Sequence, residues 1–472
     1  MTRRLGILGV LVLLGAARSA WADEPVSARE PHLMSETSEI TTVADAFDGD
    51  DPFDLNLVLG FTQSWKHAKV RRESFLSQPG LSSGGFIPAT ENIASYSSST
   101  STLMLGADVG LYHDLALILR MPVVLGWSQD LSDLDGSSFV TSQLLTDPMG
   151  GQLFGVPFSS PTRSGVDYFS AGLDWAIFNQ QRDPTSPTWI VGIEGRVSVG
   201  TPMHACNANP APGAVQCPDP SNPSVNRDPG ISRGMDTIIF KTVWSRRFGY
   251  VEPYDGFWVQ AEYPQDSSDF GRWNPQNNLE RMPPLLGSFG LGMEVIPYER
   301  REEYQRVSAD FRFKGTYHSP GRDYSELFDA LGSSQAASLR TPNPSSFAAG
   351  AKGSVANPSS ENVFFSGITE EQAYGSFTMS ASGTWQAGEY VKFTVGTALT
   401  YAQSHLVTSA DNCNPNFSGD TNLSGPCRSL TSAPTQGVPN PDHRDVIDTP
   451  GHRFSVDDTT IVDLWLMGVV MF

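Results

Sequence analysis

The sequence predicts an all-β protein, a 12-stranded antiparallel up-and-down transmembrane β-barrel with short periplasmic turns and long extracellular loops. Three observations lead there. Apolar and polar residues alternate with period 2 over segments of about 10 to 15 residues. The connections between these segments are alternately short and long. Aromatic residues gather at both ends of the apolar parity. The composition agrees: 39% hydrophobic and 17% charged residues, with 44 Gly and 34 Pro in 472 residues, exclude collagen-like, coiled-coil and wholly disordered chains. A formal charge of −20 argues against nucleic acid as a partner.

Arg3 and Arg4 precede an apolar stretch from Leu5 to Ala17 that is too short to span a bilayer, and Ala20-Trp21-Ala22 is a small-x-small cleavage site. Residues 1–22 therefore read as a secretory signal peptide. Residues 23–52, ending in the acidic run Asp48 to Asp51, read as a flexible periplasmic lead-in or small plug, and residues 53–472 as the barrel. Beyond the signal no apolar run reaches the length of a helical span; the richest, Leu115 to Trp127, is interrupted by Arg120 and Pro122.

The strands follow in order. Leu55, Leu57, Leu59, Phe61 and Trp65 share one parity against Asn56, Thr62, Ser64 and Lys66. Leu103 to Leu111 alternate against Asp108, and Leu115 to Trp127 continue after the turn Tyr112-His113-Asp114. Leu173, Trp175 and Ile177 face away from Asp174, and Trp189 to Val199 face away from Glu194 and Arg196. Ile238 to Trp244 oppose Lys241; Phe257 to Tyr263 oppose Glu262; Phe289 to Val295 oppose Glu294. Val307 to Tyr317 oppose Asp310, Arg312 and Lys314 in the cleanest alternation of the chain. Phe377 to Trp385, Val391 to Tyr401 and Val462 to Phe472 complete twelve.

Short links follow every even strand and long ones every odd strand, a separation that a soluble sandwich does not make. Trp65, Trp127, Tyr317 and Tyr401 are expected in an outer-face girdle near the extracellular rim, and Trp189, Trp244, Trp385 and Phe472 near the periplasmic rim. Pro122 removes a ladder hydrogen bond within the third strand, so a bulge is expected there. Tyr324 to Leu331 reads as a short helix in the longest loop.

Inward parity assigns Lys66, Arg120, Arg196, Lys241, Arg312, Lys314 and Lys392 to the lumen together with Asp108, Asp174, Glu194, Glu262, Glu294, Asp310 and Asp463. Twelve strands about 4.8 Å apart and tilted by about 40° give a backbone diameter of about 24 Å and leave roughly 10 Å between opposing side chains. A balanced interior of this kind serves either as a salt-bridge lattice that stiffens the wall or as a channel with a transverse field for polar or zwitterionic solutes.

All four cysteines lie in Pro-, Asn-, Ser- and Gly-rich stretches. Local closure is entropically cheapest, so Cys206 is expected to pair with Cys217 and Cys413 with Cys427. Zinc would want Cys-x-x-Cys spacing with nearby His, and only His204 is close. Gly80-Leu81-Ser82-Ser83-Gly84 matches a nucleophile motif but lacks the strand-to-helix elbow around it. His318 and Ser319 are adjacent and so face opposite sides of a strand. Asp442, His443, Asp445, Asp448 and His452, like Asp130, Asp133 and Asp135, read more simply as solvated acidic loops than as cation sites. No catalytic residue, metal or cofactor is assigned.

The chain ends in Leu464, Leu466, Gly468, Val470 and Phe472 on one parity. This ending resembles the assembly signal of Gram-negative outer-membrane β-barrels. The resemblance implies export, residence among outer-membrane lipids and recognition by the barrel-assembly machinery. The expected function is passive passage of small polar solutes. The alternatives are a structural or surface-exposed barrel and, less favoured, an outer-membrane lipid hydrolase.

Overall fold

The computed structural model describes residues 41–46, 54–74, 89–134, 143–147, 150–270, 282–341, 364–411, 413–414, 438–439 and 442–472. Twelve long strands form one closed sheet: β1 Leu55–Ser74, β2 Ala89–Tyr112, β3 Leu115–Ser132, β4 Tyr168–Phe178, β5 Thr188–Ser198, β6 Met235–Ser245, β7 Val251–Pro264, β8 Leu286–Arg300, β9 Gln305–His318, β10 Tyr374–Gly388, β11 Val391–Ala402 and β12 Phe454–Met471. Each pairs antiparallel with its sequence neighbour. β1 pairs with β12 from Asn56 opposite Met471 to Arg72 opposite Phe454, which closes the cylinder. Closure satisfies every ladder without an edge, the condition for sheet to cross hydrocarbon. The terminal residue completes the seam: Phe472 and Leu55 exchange backbone hydrogen bonds at 2.9 and 3.0 Å.

All twelve strands read from the alternation are present, and the connections keep their parity. The links at 113–114, 179–187, 246–250, 301–304 and 389–390 are short, and those at 133–167, 199–234, 265–285, 319–373 and 403–453 are long. In the first turn His113 takes a left-handed φ of 40°, one of the few conformations that reverses the chain so tightly. Residues of the apolar parity, such as Leu59, Ile193, Phe311, Met379, Val395 and Leu466, stand exposed on the outer wall, where they form the band that lipid covers. The chain is thus a transmembrane barrel of the outer-membrane type.

Pro122 has a different consequence from the one expected at its own position. It pairs in register with Met104 of β2, and the register shifts a little further on, between Ser101 and Thr102 opposite Val124 and Gly126. On its other side the neighbouring strand is broken in two. β4 pairs with β3 only up to Arg120, and a short segment Arg163–Val166 takes over beyond Pro122. Asp167 sits at the break and donates its N–H to the Pro122 carbonyl. The missing donor is absorbed by interrupting the partner strand.

The bulge overturns one girdle residue. Past it the parity of β3 inverts, so Trp127 points inward, its ring 5.5 Å from the Arg163 guanidinium carbon. Tyr317 and Tyr401 are exposed on the outer wall, as are Trp244, Trp385 and Phe472, and Trp189 stacks on Trp244 with ring centroids 5.9 Å apart.

β1, β2, β3 and β12 continue beyond the band on the long-loop side, and there their inner face becomes apolar. Ala68, Val70, Ile93, Ala94, Tyr96, Leu131, Phe454 and Val456 pack with loop residues Leu145, Leu153, Phe154, Phe158, Leu327, Leu331, Leu339, Val407 and Ile447 in one core. Each fully buried Leu or Phe contributes about 1.5–3 kcal/mol, enough to hold the loops as a folded cap over the outer mouth. The expected helix at Tyr324 to Leu331 is found slightly later, at Phe328–Gly332, with a second short helix at Ala337–Arg340.

The proposed signal peptide lies outside the described residues, as do Gly80 to Gly84, Asp135 and the Cys413 to Cys427 pair as a bond. Of the lead-in, residues 41–46 lie against the short-turn mouth. Ala46 forms a backbone bridge with His113, and Thr41 is buried with its hydroxyl 2.9 Å from the Ser245 hydroxyl.

Candidate functional site

The barrel interior has two sections. The lower one is a ladder of charges on the inner wall. Arg120 binds Asp108 with two contacts of 2.5 and 3.0 Å. Lys241 reaches Asp174 at 2.5 Å, and Arg196 reaches Glu194 at 2.8 Å. Arg312 lies 3.3 Å from Asp310, and both also bond the Tyr254 hydroxyl, at 3.0 and 2.5 Å respectively. Lys314 pairs with no carboxylate among the described residues; its ammonium lies 5.6 Å from the centre of the Trp258 ring. Nearer the short-turn rim, Glu294 and Arg306 pair at 3.2 Å and are buried, as is Lys392. Asp463 faces the lumen from β12 and makes no ion pair among the described residues.

Two other expected lumen charges are taken by loops. Lys66 binds Glu326 at 2.5 Å, and Glu262 binds Arg233 at 2.9 Å. Both partners descend from long connections. Parity alone places the wall residues but not what drops between them.

Glycines make room for the inward aromatics. An indole can lie flat on a wall only where the facing residue has no Cβ: one built on Gly396 would sit 2.2 Å from the Trp465 ring, and one on Gly290 2.9 Å from the Trp258 ring. Tyr254, Trp258 and Trp465 were legible from the same parity that located the charges.

The upper section is a cavity of about 660 Å³ between the wall and the underside of the cap. Its floor is formed by mid-strand residues Thr62, Thr102 and Met104 and its sides by Lys66, Tyr96, Trp127 and Tyr168. Its roof brings Asp323, Tyr324, Glu326, Phe328 and Glu371 from the loops and Tyr374 from the start of β10, with Arg233 and His405 at the margin. The roof is anchored by a buried pair: the Arg163 guanidinium meets both Asp329 oxygens at 2.9 and 2.7 Å, and Cys206 N–H donates to the same carboxylate at 2.8 Å. Cys206 is disulfide-bonded to Cys217 eleven residues on. A two-stranded ribbon pairs Gly321–Asp323 with Thr369–Glu371 and so sets Glu371 beside Gly321.

The electrostatics of the roof are uneven. Burial pushes the Glu326 carboxyl up, and the adjacent Lys66 ammonium more than reverses this, holding it below the usual range. Burial and then the carboxylates of Asp323 and Glu326 push Glu371 well above that range. Burial lowers the pKa of His405, which favours its uncharged form. His405, Tyr374 and His318 form a stack with centroid spacings of 3.8 and 4.2 Å.

His318 lies 3.3 Å from the Ser376 hydroxyl, whereas the Ser319 hydroxyl accepts from Leu285 N–H, so the two are not brought together. The loop at Asp442 to His452 is not simply solvated. His443 and Asp448 are buried, His443 bonds the Ala410 carbonyl and Asp445, and Asp448 accepts the backbone N–H groups of Arg444 and Ala410. Among the described residues no group of three or more His, Cys, Asp or Glu is arranged to hold a metal ion.

No family model matches the chain, and no curated protein matches it. Among solved structures it is similar to an outer membrane channel from Pseudomonas putida F1, at 10% identity over 88% of this chain and 95% of that one, with a TM-score of 0.36. A Pseudomonas aeruginosa FadL homologue shares 8% identity over 89% and 90% with a TM-score of 0.32. The outer membrane protease OmpT from Escherichia coli shares 6% over 89% and 96% with a TM-score of 0.27. These likenesses carry no chemistry to this chain; its architecture rests on its own strand pairing and apolar band.

Proposed function

We propose that this chain is an outer-membrane channel for small polar solutes, with the charge ladder as its selective element. One observation carries the reading: each mid-lumen pair keeps at least one wetted member. Side chains of Arg312, Lys241, Glu194, Arg196, Arg120 and Asp108 keep 21 to 33% of their surface, and the partners Asp310 and Asp174 keep 15 and 8%, whereas both members of the Glu294–Arg306 pair near the rim are buried, at 3 and 8%. A lattice used for stiffness alone gains nothing from wetted charges, while a conducting path needs groups that exchange partners with a passing solute. Lys314 and Asp463 each lack an oppositely charged partner among the described residues, which leaves one charge of each sign on the lumen wall, so polar and zwitterionic solutes are favoured. Passage requires the cap and the segment at 41–46 to give way. In this reading the chain performs no catalysis, residues 1–22 direct export, and the strand ending at Phe472 is read by the assembly machinery.

The test is planar-bilayer conductance of the refolded mature protein. Conductance that shifts toward cation selectivity in Arg312→Ala and Lys314→Ala supports the reading. A folded barrel that passes no current at any voltage leaves the structural barrel as the better account.

A further inference from the structure

The upper cavity holds an imbalance that the channel reading does not use. Four carboxylates line it, those of Asp167, Asp323, Glu326 and Glu371, against two cations, Lys66 and Arg233. Both cations are already committed: Lys66 to Glu326 at 2.5 Å, and Arg233 to Asp323 at 2.6 Å and Glu262 at 2.9 Å. His405 favours its uncharged form. The Glu371 side chain has neither a hydrogen bond nor an ion pair among the described residues, although the residue keeps only 7% of its surface and lines the cavity. A buried carboxylate in that position costs free energy unless it is protonated or meets a cation.

We propose that the cavity beneath the cap is a binding site for a small organic cation, an ammonium or guanidinium on an apolar or aromatic body, with Glu371 as its charge partner. The volume suits such a ligand, since sites for small molecules span roughly 300–1,000 Å³. The walls suit its body: Trp127, Phe328 and Tyr374 present ring surface, and Met104 and Val124 aliphatic surface. An anion would meet the surplus carboxylates. A neutral ligand would offer Glu371 a hydrogen bond at most and no charge partner. The groups facing Glu371 are Asp323 and Glu326, which hold its proton on, and Lys66 and Arg233, which favour its release; Tyr374 lies close by in the same chain segment. Cation binding therefore displaces the Glu371 proton, and affinity rises with pH as that proton becomes easier to remove.

The experiment is equilibrium titration of the full-length refolded protein in detergent with benzylammonium, benzyl alcohol and benzoate, followed by calorimetry. Benzylammonium is expected to bind about ten-fold or more tightly than its neutral isostere, the scale of one hydrogen bond to a charged group, and to release a proton to the buffer. Glu371→Gln, nearly identical in shape, should abolish both the preference and the proton release. Equal affinity for benzylammonium and benzyl alcohol, tighter binding of benzoate, or no binding of benzylammonium would overturn the proposal. So would a folded Glu371→Gln variant that keeps the preference. If that variant does not fold, the three-ligand comparison and proton release on the wild-type chain decide alone. The binding readout does not depend on current across a bilayer, so failure of the channel reading and failure of this site are distinguishable.

Discussion

The membrane belt and the cap over the long-loop mouth are built from the same strands, and they are inside out with respect to each other. Along β1, Leu57, Leu59 and Phe61 face outward in the belt while Thr62, Ser64 and Lys66 face the lumen. Further along the same strand the odd positions become Lys69, Arg71 and Glu73, and the even ones Ala68 and Val70, which are buried in the cap core. Lys69 and Arg71 pair outward with Asp458 and Asp457 of β12. The pleat has not changed; the solvent has. Lipid outside and a wet lumen inside demand one phase, water outside and a packed cap inside demand the other.

The cap and the belt should therefore fail separately, and the sharpest way to separate them is Asp329→Ala. It strands the Arg163 guanidinium in a buried site and removes the acceptor of Cys206 N–H. Leaving one partner of such a pair unmatched costs about 3–5 kcal/mol. Limited proteolysis should cut the connection at 319–373 far faster than in wild type, while heat-modifiable gel migration, which reports the belt, stays unchanged. In the channel reading the same variant conducts more. Simultaneous loss of both signals would mean that belt and cap are one cooperative unit.

Next in size is the disulfide. Closing the loop between Cys206 and Cys217, eleven positions apart, restricts the unfolded loop by about 3 kcal/mol in the chain-entropy account. Cys206→Ser together with Cys217→Ser should raise the hydrogen-exchange rate of the connection at 199–234 and, through the shared Asp329 contact, that of Phe328–Gly332. An effect confined to 199–234 would show that the Asp329 contact does not transmit it.

This same division explains what could be read in the sequence. The belt was legible strand by strand because lipid enforces strict alternation, and the fourteen lumen charges follow from its parity. The outer ends were not. β2 runs through Tyr96 and a Ser- and Thr-rich stretch to Thr102 with little contrast between faces, so its visible start was Leu103 although the strand begins at Ala89. Trp127 was misplaced because the bulge after Pro122 inverts parity, and a proline announces a defect without saying where it is absorbed. The Lys66–Glu326, Arg163–Asp329 and Arg233–Glu262 pairs join segments remote in the chain, and no local pattern records such a meeting.

A smaller effect tests the cap through pH. Burial pushes the Asp448 carboxyl up to about 6 against an ordinary 3.8, with His443 and the N–H groups of Arg444 and Ala410 opposing the shift. A carboxyl raised in the folded state contributes stability that is fully present below pH 3.8 and is lost as pH rises through about 6. Protection of the segment 442–453 against hydrogen exchange, corrected for the intrinsic rate, should fall across that window and not above it. Asp448→Asn should flatten the profile. A profile that falls equally in the variant would assign the pH dependence to another group.

The smallest expected effect lies beside the largest structural contrast. Lys69 and Asp458 touch at 2.7 Å on the outer wall of the cap, with 49 and 63% of their side chains exposed. Water and salt screen a pair of this kind, and holding two mobile side chains together offsets what attraction remains. Lys69→Ala should therefore leave both proteolysis of the cap and heat-modifiable migration unchanged, although the neighbouring Val70 is wholly buried and Val70→Asp, which places a charge in the apolar core, should open the cap. The two substitutions differ by one residue and thus by one face of the strand. If Lys69→Ala loosened the cap as much as Val70→Asp, the phase inversion between belt and cap would not be what holds the outer loops in place.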